Sequence, residues 1–146
     1  QTVSPAAPPP PPSPPPPPGP ERKSSRRQPP EGPRLLPQPD LRLILCTVPL
    51  SPPGTPAKLA RMLVEKKLAA CVNILPAIQS IYAWEGKVQN DAEALLIIKT
   101  TSRRCRSAAH ALKEHHPYDI PEILVIGPEA ANEPYFLWVQ SAVDGA

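Results

Sequence analysis

Proline is concentrated at the start of this chain, and this distribution limits where the chain can fold. Residues 1–40 hold 17 of the 26 prolines and few large apolar side chains. Proline has no backbone N–H and a fixed φ, so a run such as PPPPPSPPPPPGP is excluded from helix interiors and central strands. The composition predicts a disordered, Pro-rich tail over 1–40 and leaves about 106 residues, 41–146, for one folded domain.

The function of the predicted tail has two interpretations. A proline run favours the polyproline II conformation, which makes a semi-rigid spacer. The same conformation is the ligand of aromatic-lined grooves of the SH3 and WW type, so a partner of that kind is the alternative. The basic run RKSSRR within the tail is either a solvated segment or a contact for an anionic surface.

Charge and cysteine content exclude several classes of protein. Residues 41–146 carry 11 basic and 10 acidic side chains, and a near-neutral domain lacks the clustered cations that nucleic-acid binding needs. Three cysteines are an odd number, which argues against a disulfide framework and for a reducing compartment. No segment has the apolar length of a transmembrane helix. We expect a cytoplasmic protein, or an organellar or secretory one if a targeting segment precedes Gln1.

The residues after position 40 alternate between strand and helix patterns. Short apolar runs predict strands, a hairpin turn is expected at EGK, and a bulge is expected at Pro76 within the second run. Thr55 before Pro56 is typical of a helix start, and Ser102 is the expected cap of a second helix that Pro117 ends. The predicted strands cover 41–48, 71–84, 87–100 and 120–127. The first helix is predicted over 56–69, and the other two begin near residues 102 and 133.

This order of elements predicts an α+β fold. The pattern β-α-β-β-α-β with right-handed crossovers gives a ferredoxin-like sandwich. Its antiparallel sheet has the strand order 4-1-3-2, both helices cover one face, and an extra helix follows at the C-terminus.

The predicted strand order brings possible metal ligands to one rim. Cys46 lies near the end of strand 1, and His115 and His116 lie just before strand 4, its antiparallel neighbour. Thiolate and imidazole suit copper or zinc. Adjacent histidines diverge on a regular helix, so both can face the thiol only where Pro117 breaks that helix. The alternative is structural: one histidine interacts with the helix C-terminus and the other packs under a strand.

A second group of residues predicts a polar pocket. Lys99 ends one apolar strand and Glu122 begins another. Both can lie near aromatic rings, or they can form a partly buried ion pair. The aromatic candidates are Tyr82, Trp84, Tyr118 and Trp138.

The sequence gives no set of residues that indicates catalysis. It contains no phosphate-binding glycine loop, nucleophile elbow or zinc-protease helix. His110 and Asp119 are the remaining titratable candidates, but no nucleophile accompanies them. We expect a protein that is not an enzyme.

Five segments together resemble a known family. LCTVP, VEKKLAACVNILP, IYAWEGKVQNDAEALLIIKT, HHPYDIPEIL and YFLWV occur in this order, and together they are similar to the CutA divalent-cation tolerance proteins. The resemblance covers essentially all of 41–146 and leaves the tail outside. The first loop, PLSPPGTPAK, is longer and richer in proline than is usual in the family.

The resemblance implies a fold, an assembly and a ligand set. It implies a ferredoxin-like homotrimer in which long hairpins and edge strands join the subunits. It also implies a role in metal tolerance, with Cu²⁺ as the ion, zinc as a further possibility, and Cys46, His115 and His116 as ligands. The alternative is a non-enzymatic trimeric scaffold or small-molecule sensor. Its clefts between subunits would use Tyr82, Trp84, Lys99 and Glu122.

Overall fold

A computed structural model describes residues 32–144 of the chain. The predicted disorder of the first 31 residues and the predicted SH3 or WW contact lie outside the described residues. The unit Pro33–Ala146 is compact. Within the described range, no helix is both long and apolar enough to cross a membrane.

Six strands and three helices make up the described chain. The strands are β1 (Leu35–Leu36), β2 (Leu41–Pro49), β3 (Cys71–Trp84), β4 (Lys87–Thr101), β5 (Leu124–Ile126) and β6 (Ala131–Asn132). The helices are α1 (Thr55–Glu65), α2 (Ser102–His115) and α3 (Glu133–Asp144).

Four of the strands form one antiparallel sheet in the order β3-β4-β2-β5. In the sequence numbering of the four predicted strands this is the order 4-1-3-2, so the predicted topology and the α+β class are confirmed. β2 lies in the interior of the sheet, between β4 and β5. The outer edges of β3 and β5 have no further strand beside them within residues 32–144.

Alternate side chains of the central strands point to opposite faces of the sheet, and the buried ones mark the face that packs on the core. The side chains of Ile44, Cys46, Leu96 and Ile98 are completely buried, and they pack against residues of α1 and α2 in one cluster. The intervening residues point to the other face, as the period of a strand requires. There α3 covers one end of the sheet, where Phe136 and Val139 pack on Leu41.

The long hairpin of β3 and β4 contains the predicted bulge. The strand register shifts between Leu75 and Ile78, on either side of Pro76, because proline cannot donate to the ladder. The turn of the hairpin uses Glu85 and Gly86, both with positive φ, at 49° and 77°. Two left-handed residues match the twist of the flanking strands.

Helix α1 differs from the prediction at both ends. The N-cap is Gly54, with φ 88°, whereas Thr55 is already helical and its hydroxyl donates to the carbonyl of Pro52 at 2.6 Å. The helix ends at Glu65, and Lys67 takes a positive φ of 56°. The backbone N–H of Leu68 then bonds back to the carbonyl of Leu63 at 2.9 Å, which closes the helix four residues before the expected end.

The predicted fourth strand and second helix cap also differ in detail. β5 has only three residues, Leu124–Ile126, and Pro121, which has no backbone N–H to donate, lies outside it. The N-cap of α2 is Thr101 rather than Ser102. The hydroxyl of Ser102 donates instead to a carboxylate oxygen of Asp40, at 2.9 Å.

Ordered structure begins earlier than the predicted boundary at residue 41. Leu35 and Leu36 pair with Asn132 and Ala131 to form the two-stranded sheet of β1 and β6. The amide of Glu133 also donates to the carbonyl of Arg34 at 3.1 Å. These contacts bring residues 33–40, assigned from composition to the tail, into the folded unit.

Candidate functional site

An open cavity of about 1040 Å³ lies on the face of the sheet opposite helices α1 and α2. Its walls are the second half of β2, the middle of β4, the part of β3 nearest the hairpin turn, and the segment 117–122 between α2 and β5. This volume is at the upper end of the range for small-molecule sites. The cavity is therefore a candidate binding site.

The lining of the cavity is aromatic and acidic. It includes the rings of Tyr82, Trp84 and Tyr118. The carboxyl-bearing residues in the walls are Glu93, Asp119 and Glu122, and no Lys, Arg or His of the described chain lines the cavity. Four of the six candidates for a cleft in the sequence, namely Tyr82, Trp84, Tyr118 and Glu122, thus share one cavity.

Glu93 is the most buried acidic residue of the lining. Only 6% of it is exposed, and Tyr118 donates its phenolic O–H to Oε2 of Glu93 at 3.3 Å. Burial, and then the charge of Glu93, raise the pKa of the Tyr118 phenol. On the hairpin, the hydrogen bond that Tyr82 donates to Asp91 raises the pKa of its phenol to about 12. Both phenols therefore keep their protons near neutral pH.

Cys46 lies on the core side of β2 and not in the cavity. Its side chain is fully buried, and its Sγ reaches the carbonyl oxygen of Thr47 at 3.7 Å. Desolvation by burial, with the charges of Glu122 and Glu93, raises the pKa of the thiol to about 12. At neutral pH the side chain is a thiol and not the thiolate that binds metals.

His116 joins the end of α2 to strand β2. Its Nε2–H donates to the carbonyl oxygen of Thr47 at 2.8 Å, and its Nδ1 accepts the backbone N–H of Tyr118 at 3.0 Å. Because a carbonyl only accepts and an amide only donates, these bonds fix the tautomer with the proton on Nε2. Both ring nitrogens of this buried residue are therefore in use.

His115 is exposed on the last turn of α2. Its Nδ1–H donates to the carbonyl of Ala111 one turn earlier, at 2.9 Å. Its Nε2 makes no hydrogen bond to a described residue. Of the two histidines, this one has a ring nitrogen open to a ligand.

The predicted rim brings Cys46 and His116 together, but not as a group of metal ligands. Both side chains meet the same carbonyl oxygen, that of Thr47, whereas His115 bonds within its own helix. No three His, Cys, Asp or Glu side chains among residues 32–144 are placed to hold a metal ion together. In this arrangement a protonated thiol and a doubly hydrogen-bonded imidazole do not fit a copper site.

Two candidates of the predicted pocket do not line the cavity. Lys99 pairs across the sheet with Leu43, which lies nearer the start of β2 than the residues that form the wall. No ion pair in the described chain joins Lys99 to Glu122. Trp138 lies on α3, where its ring is 5.8 Å from that of Tyr135.

Glu93 is the residue of the cavity that the sequence prediction missed. It comes just before the apolar part of β4. Alternation places its side chain on the same face of the sheet as that of Leu95, opposite the core face of Ala94 and Leu96. The available signal was an acidic residue next to the apolar run ALLII of β4, because the period of two assigns its face.

Comparison with known proteins gives one consistent family. The family described as CutA1 divalent ion tolerance protein matches residues 43–142. A relative from Xenopus laevis named Protein CutA homolog is 46% identical over 93 residues, which is 63% of this chain and 62% of the relative. A relative from rice, Protein CutA 1, chloroplastic, is 42% identical over 100 residues, or 68% of this chain and 55% of the relative.

A solved structure shows the same fold. CutA from Synechococcus elongatus PCC7942 superposes with a TM-score of 0.71 at 37% sequence identity, over 75% of this chain and 96% of that one. This chain spans about half to three-fifths of the length of the first animal and plant relatives that it matches.

Proposed function

Since this chain belongs to the CutA1 divalent ion tolerance family, we propose that it acts in divalent-cation tolerance by binding Cu²⁺ as a homotrimer, with zinc as the second candidate ion. The observation that carries this proposal is the family match over residues 43–142. In this proposal the protein is not an enzyme. The ion is bound and released without chemical change.

We assign the first contact with copper to His115. The support for this is its exposed imidazole, whose Nε2 has no partner in the described chain. Imidazole suits Cu²⁺, and the C-terminal end of a helix carries a partial negative charge that favours a cation. The unpaired carbonyl groups of the last turn of α2 are further oxygen donors at the same end.

The predicted set of Cys46, His115 and His116 is the competing ligand assignment. It requires His116 to leave both Thr47 and Tyr118, and it requires Cys46 to lose a proton whose pKa is about 12. A rearrangement of that kind lowers affinity by the free energy of the contacts that are broken. The two assignments therefore predict different effects of substitution at His116.

Calorimetric titration of Cu²⁺ into the full chain distinguishes them. The His115 assignment predicts that His115→Ala removes most of the binding, whereas His116→Gln and Cys46→Ala leave it unchanged. The three-ligand assignment predicts a loss in all three variants. His110→Ala is the matched control, because His110 is an exposed histidine five residues earlier on α2. Equal binding by wild type and His115→Ala overturns the His115 assignment.

The homotrimer is proposed from the resemblance to the CutA family, and the exposed edges of the sheet support association between chains. The hairpin of β3 and β4 carries exposed apolar side chains at Ile81, Trp84 and Val88, and the edge strand β5 is about half exposed along its length. Long apolar edges are places where another chain can add to a sheet. The mass of the protein in solution, measured by light scattering, tests this step, and the mass of a single chain contradicts it.

A second candidate function is supported by the cavity. Its size and its three aromatic rings suit a small organic ligand, as in a sensor that responds to a metabolite. Thermal shifts across a panel of cationic, neutral and anionic metabolites test this function. If no compound in any charge class changes the melting temperature, the cavity is not a ligand site.

We propose a cytoplasmic location, with an organelle as the alternative. The rice relative is named chloroplastic, which supports the alternative. Cell fractionation of the tagged full-length protein decides between the two compartments.

A further inference from the structure

The fold separates the charges of the domain into two regions. Helix α1 with the turn after it, residues 55–67, and helix α2, residues 102–115, together hold eight of the 11 Lys and Arg side chains of residues 41–146, but only two of the 10 acidic ones. The net charge of these two segments is therefore +6, whereas that of the rest of the domain is −5. The near-neutral total thus hides a strongly basic surface.

The exposed cations of the two helices form a surface that we call the basic helical face. Both helices pack their apolar sides on the core face of the four-stranded sheet, so their other sides point away from the sheet. They cover this face and do not extend its edges, where the subunits are proposed to join. The basic helical face consists of Lys58, Arg61, Lys66, Arg103, Arg106 and Lys113, which are all exposed.

The positive side chains of α2 follow one line along the helix. The line contains Arg103, Arg106, His110 and Lys113, at positions i, i+3, i+7 and i+10. Residues at this spacing share one side of a helix, and the Cβ atoms of neighbours are about 5–6 Å apart. At 1.5 Å per residue the line is about 15 Å long. A row of this kind suits a partner that also carries its charges in a row.

The arginines at the start of α2 do not help the helix to form. The first turn contains no acidic residue, although the partial positive charge of a helix N-terminus favours Asp or Glu there. Arg103 is compensated by Asp144 at 3.8 Å, and Arg104 donates from Nε to the carbonyl of Val143 at 3.1 Å. Arg106 has no ion pair within residues 32–144. Helix stability therefore gives no reason for a cation at Arg106.

Most of the basic helical face has no anionic partner in the described chain. Four of its six cations take part in no ion pair among residues 32–144, namely Lys58, Lys66, Arg106 and Lys113. Glu65 and Glu114 are the acidic residues of the two helices. A helix surface that is only solvated commonly alternates charges of both signs. An excess of one sign is complementary to a partner of the opposite charge.

Other features of the helices favour a protein over a nucleic acid or a membrane. Residues 55–67 and 102–115 contain no Phe, Tyr or Trp on which a base could stack. In these ranges of the described structure, Val64 is the one large apolar side chain that is exposed, so insertion into a bilayer would bury little apolar surface. Glu65 and Glu114 would repel a uniformly negative phosphate backbone, whereas a protein can place a neutral or basic residue opposite them.

We infer that the basic helical face binds an acidic segment of a partner protein, with Asp or Glu carboxylates opposite the line of cations on α2. In an extended segment, side chains on the same side are about 6.8 Å apart, which is close to the spacing of that line. Binding of this kind goes beyond metal tolerance. It depends neither on copper at His115 nor on a ligand in the cavity.

The test uses two fluorescent peptides that differ only in charge. A peptide of alternating Glu and Ser residues and its counterpart of alternating Gln and Ser are titrated with the full chain in its native oligomer. Binding is followed by fluorescence anisotropy. At low salt the Glu peptide should bind at least about tenfold more tightly than the Gln peptide, and its affinity should fall as salt is added. Equal affinities overturn the inference, because charge then plays no part.

A matched pair of charge reversals locates the site. Arg106→Glu should weaken binding of the Glu peptide about tenfold, since it removes an attraction and adds a repulsion. This variant should still fold, because an acidic residue is favoured near the start of a helix. Arg34→Glu makes the same change in net charge at an exposed residue outside the face, and it should alter the affinity by less than about twofold. Equal affinities in the two variants, as expected if the RKSSRR segment binds the peptide, overturn the assignment.

Competition decides the class of the partner. Unlabelled Glu peptide, a DNA duplex and vesicles that contain phosphatidylserine are each used to displace the labelled Glu peptide. The unlabelled peptide should act at a lower concentration of carboxylate than the DNA or the vesicles need of phosphate. Displacement at a lower concentration of phosphate overturns the acidic protein segment in favour of nucleic acid or lipid. If the Glu peptide does not bind even at low salt, the face is only solvated and the inference is wrong.

Discussion

Replacing His116 by alanine tests whether its imidazole has a structural role. Only 8% of His116 is exposed, and the change removes the hydrogen bonds to the carbonyl of Thr47 and from the N–H of Tyr118, at 2.8 and 3.0 Å. Each bond contributes about 0.5–1.5 kcal/mol, and buried groups that lose a partner add to the cost. With the lost packing of the ring, the free energy of unfolding should fall by about 2–4 kcal/mol.

Urea unfolding followed by circular dichroism measures this loss. The protein concentration is held constant, because the apparent stability of an oligomer depends on it. His110→Ala is the matched control, since His110 is exposed on the same helix and its one ion pair in the described chain is with Glu114. This change should alter the free energy of unfolding by less than about 0.5 kcal/mol. A similarly small change in His116→Ala would refute the structural role of His116.

Three further predictions follow from the buried thiol, the sheet edge and the first strand. Because the pKa of Cys46 is raised from 9.0 to about 12, the folded state holds this proton more tightly than the unfolded state. The part of the free energy of unfolding that is due to the raised pKa of Cys46 should be complete below pH 9 and lost as the pH rises to about 12. Across this window the free energy of unfolding should fall less steeply with pH in Cys46→Ala than in wild type. An equally steep fall would contradict the raised pKa of this thiol. Ile81→Lys places a charge on the edge strand β3 and should lower the mass of the protein in solution to that of one chain, whereas Val64→Lys on helix α1 should leave it unchanged. A chain that begins at residue 41 lacks β1 and the two hydrogen bonds between Asp40 and Ser102. Its free energy of unfolding should be lower by about 1–3 kcal/mol than that of a chain that begins at residue 33. Equal melting temperatures of the two chains would show that β1 contributes nothing.

The sheet could be predicted because its strands carry strong local patterns. The apolar runs of β2, β3 and β4 are long, Pro76 marks the bulge, and the Glu85–Gly86 pair marks the hairpin turn. Connection rules then leave few topologies for such an order of elements. The observed strand order agrees with the predicted one for this reason.

The ends of the elements were less predictable, because they depend on contacts distant in sequence. β1 is two leucines between prolines, and only its pairing with Ala131–Asn132 makes it a strand. Ser102 has the composition of a helix cap, but its hydroxyl bonds to Asp40, 62 residues earlier in the chain. Such partners are chosen by the tertiary fold and not by local preference.

The candidate site was also only partly predictable from the sequence. Strand order correctly brought Cys46 and His116 to one rim, but it could not show that the carbonyl of Thr47 lies between them. Residue type alone also grouped Lys99 and Trp138 with the cavity residues, although the register and the position of α3 separate them. Which ring nitrogen is occupied is a matter of geometry within a few ångströms, and a sequence pattern does not contain that information.

Native mass spectrometry of the 146-residue chain with added Cu²⁺ tests the proposed function most directly. It reports the number of subunits and the number of bound ions in one spectrum. We predict a trimer with one copper ion per chain, and a trimer that takes up no copper when His115 is replaced by alanine. A single chain, or unchanged copper uptake by His115→Ala, would contradict it.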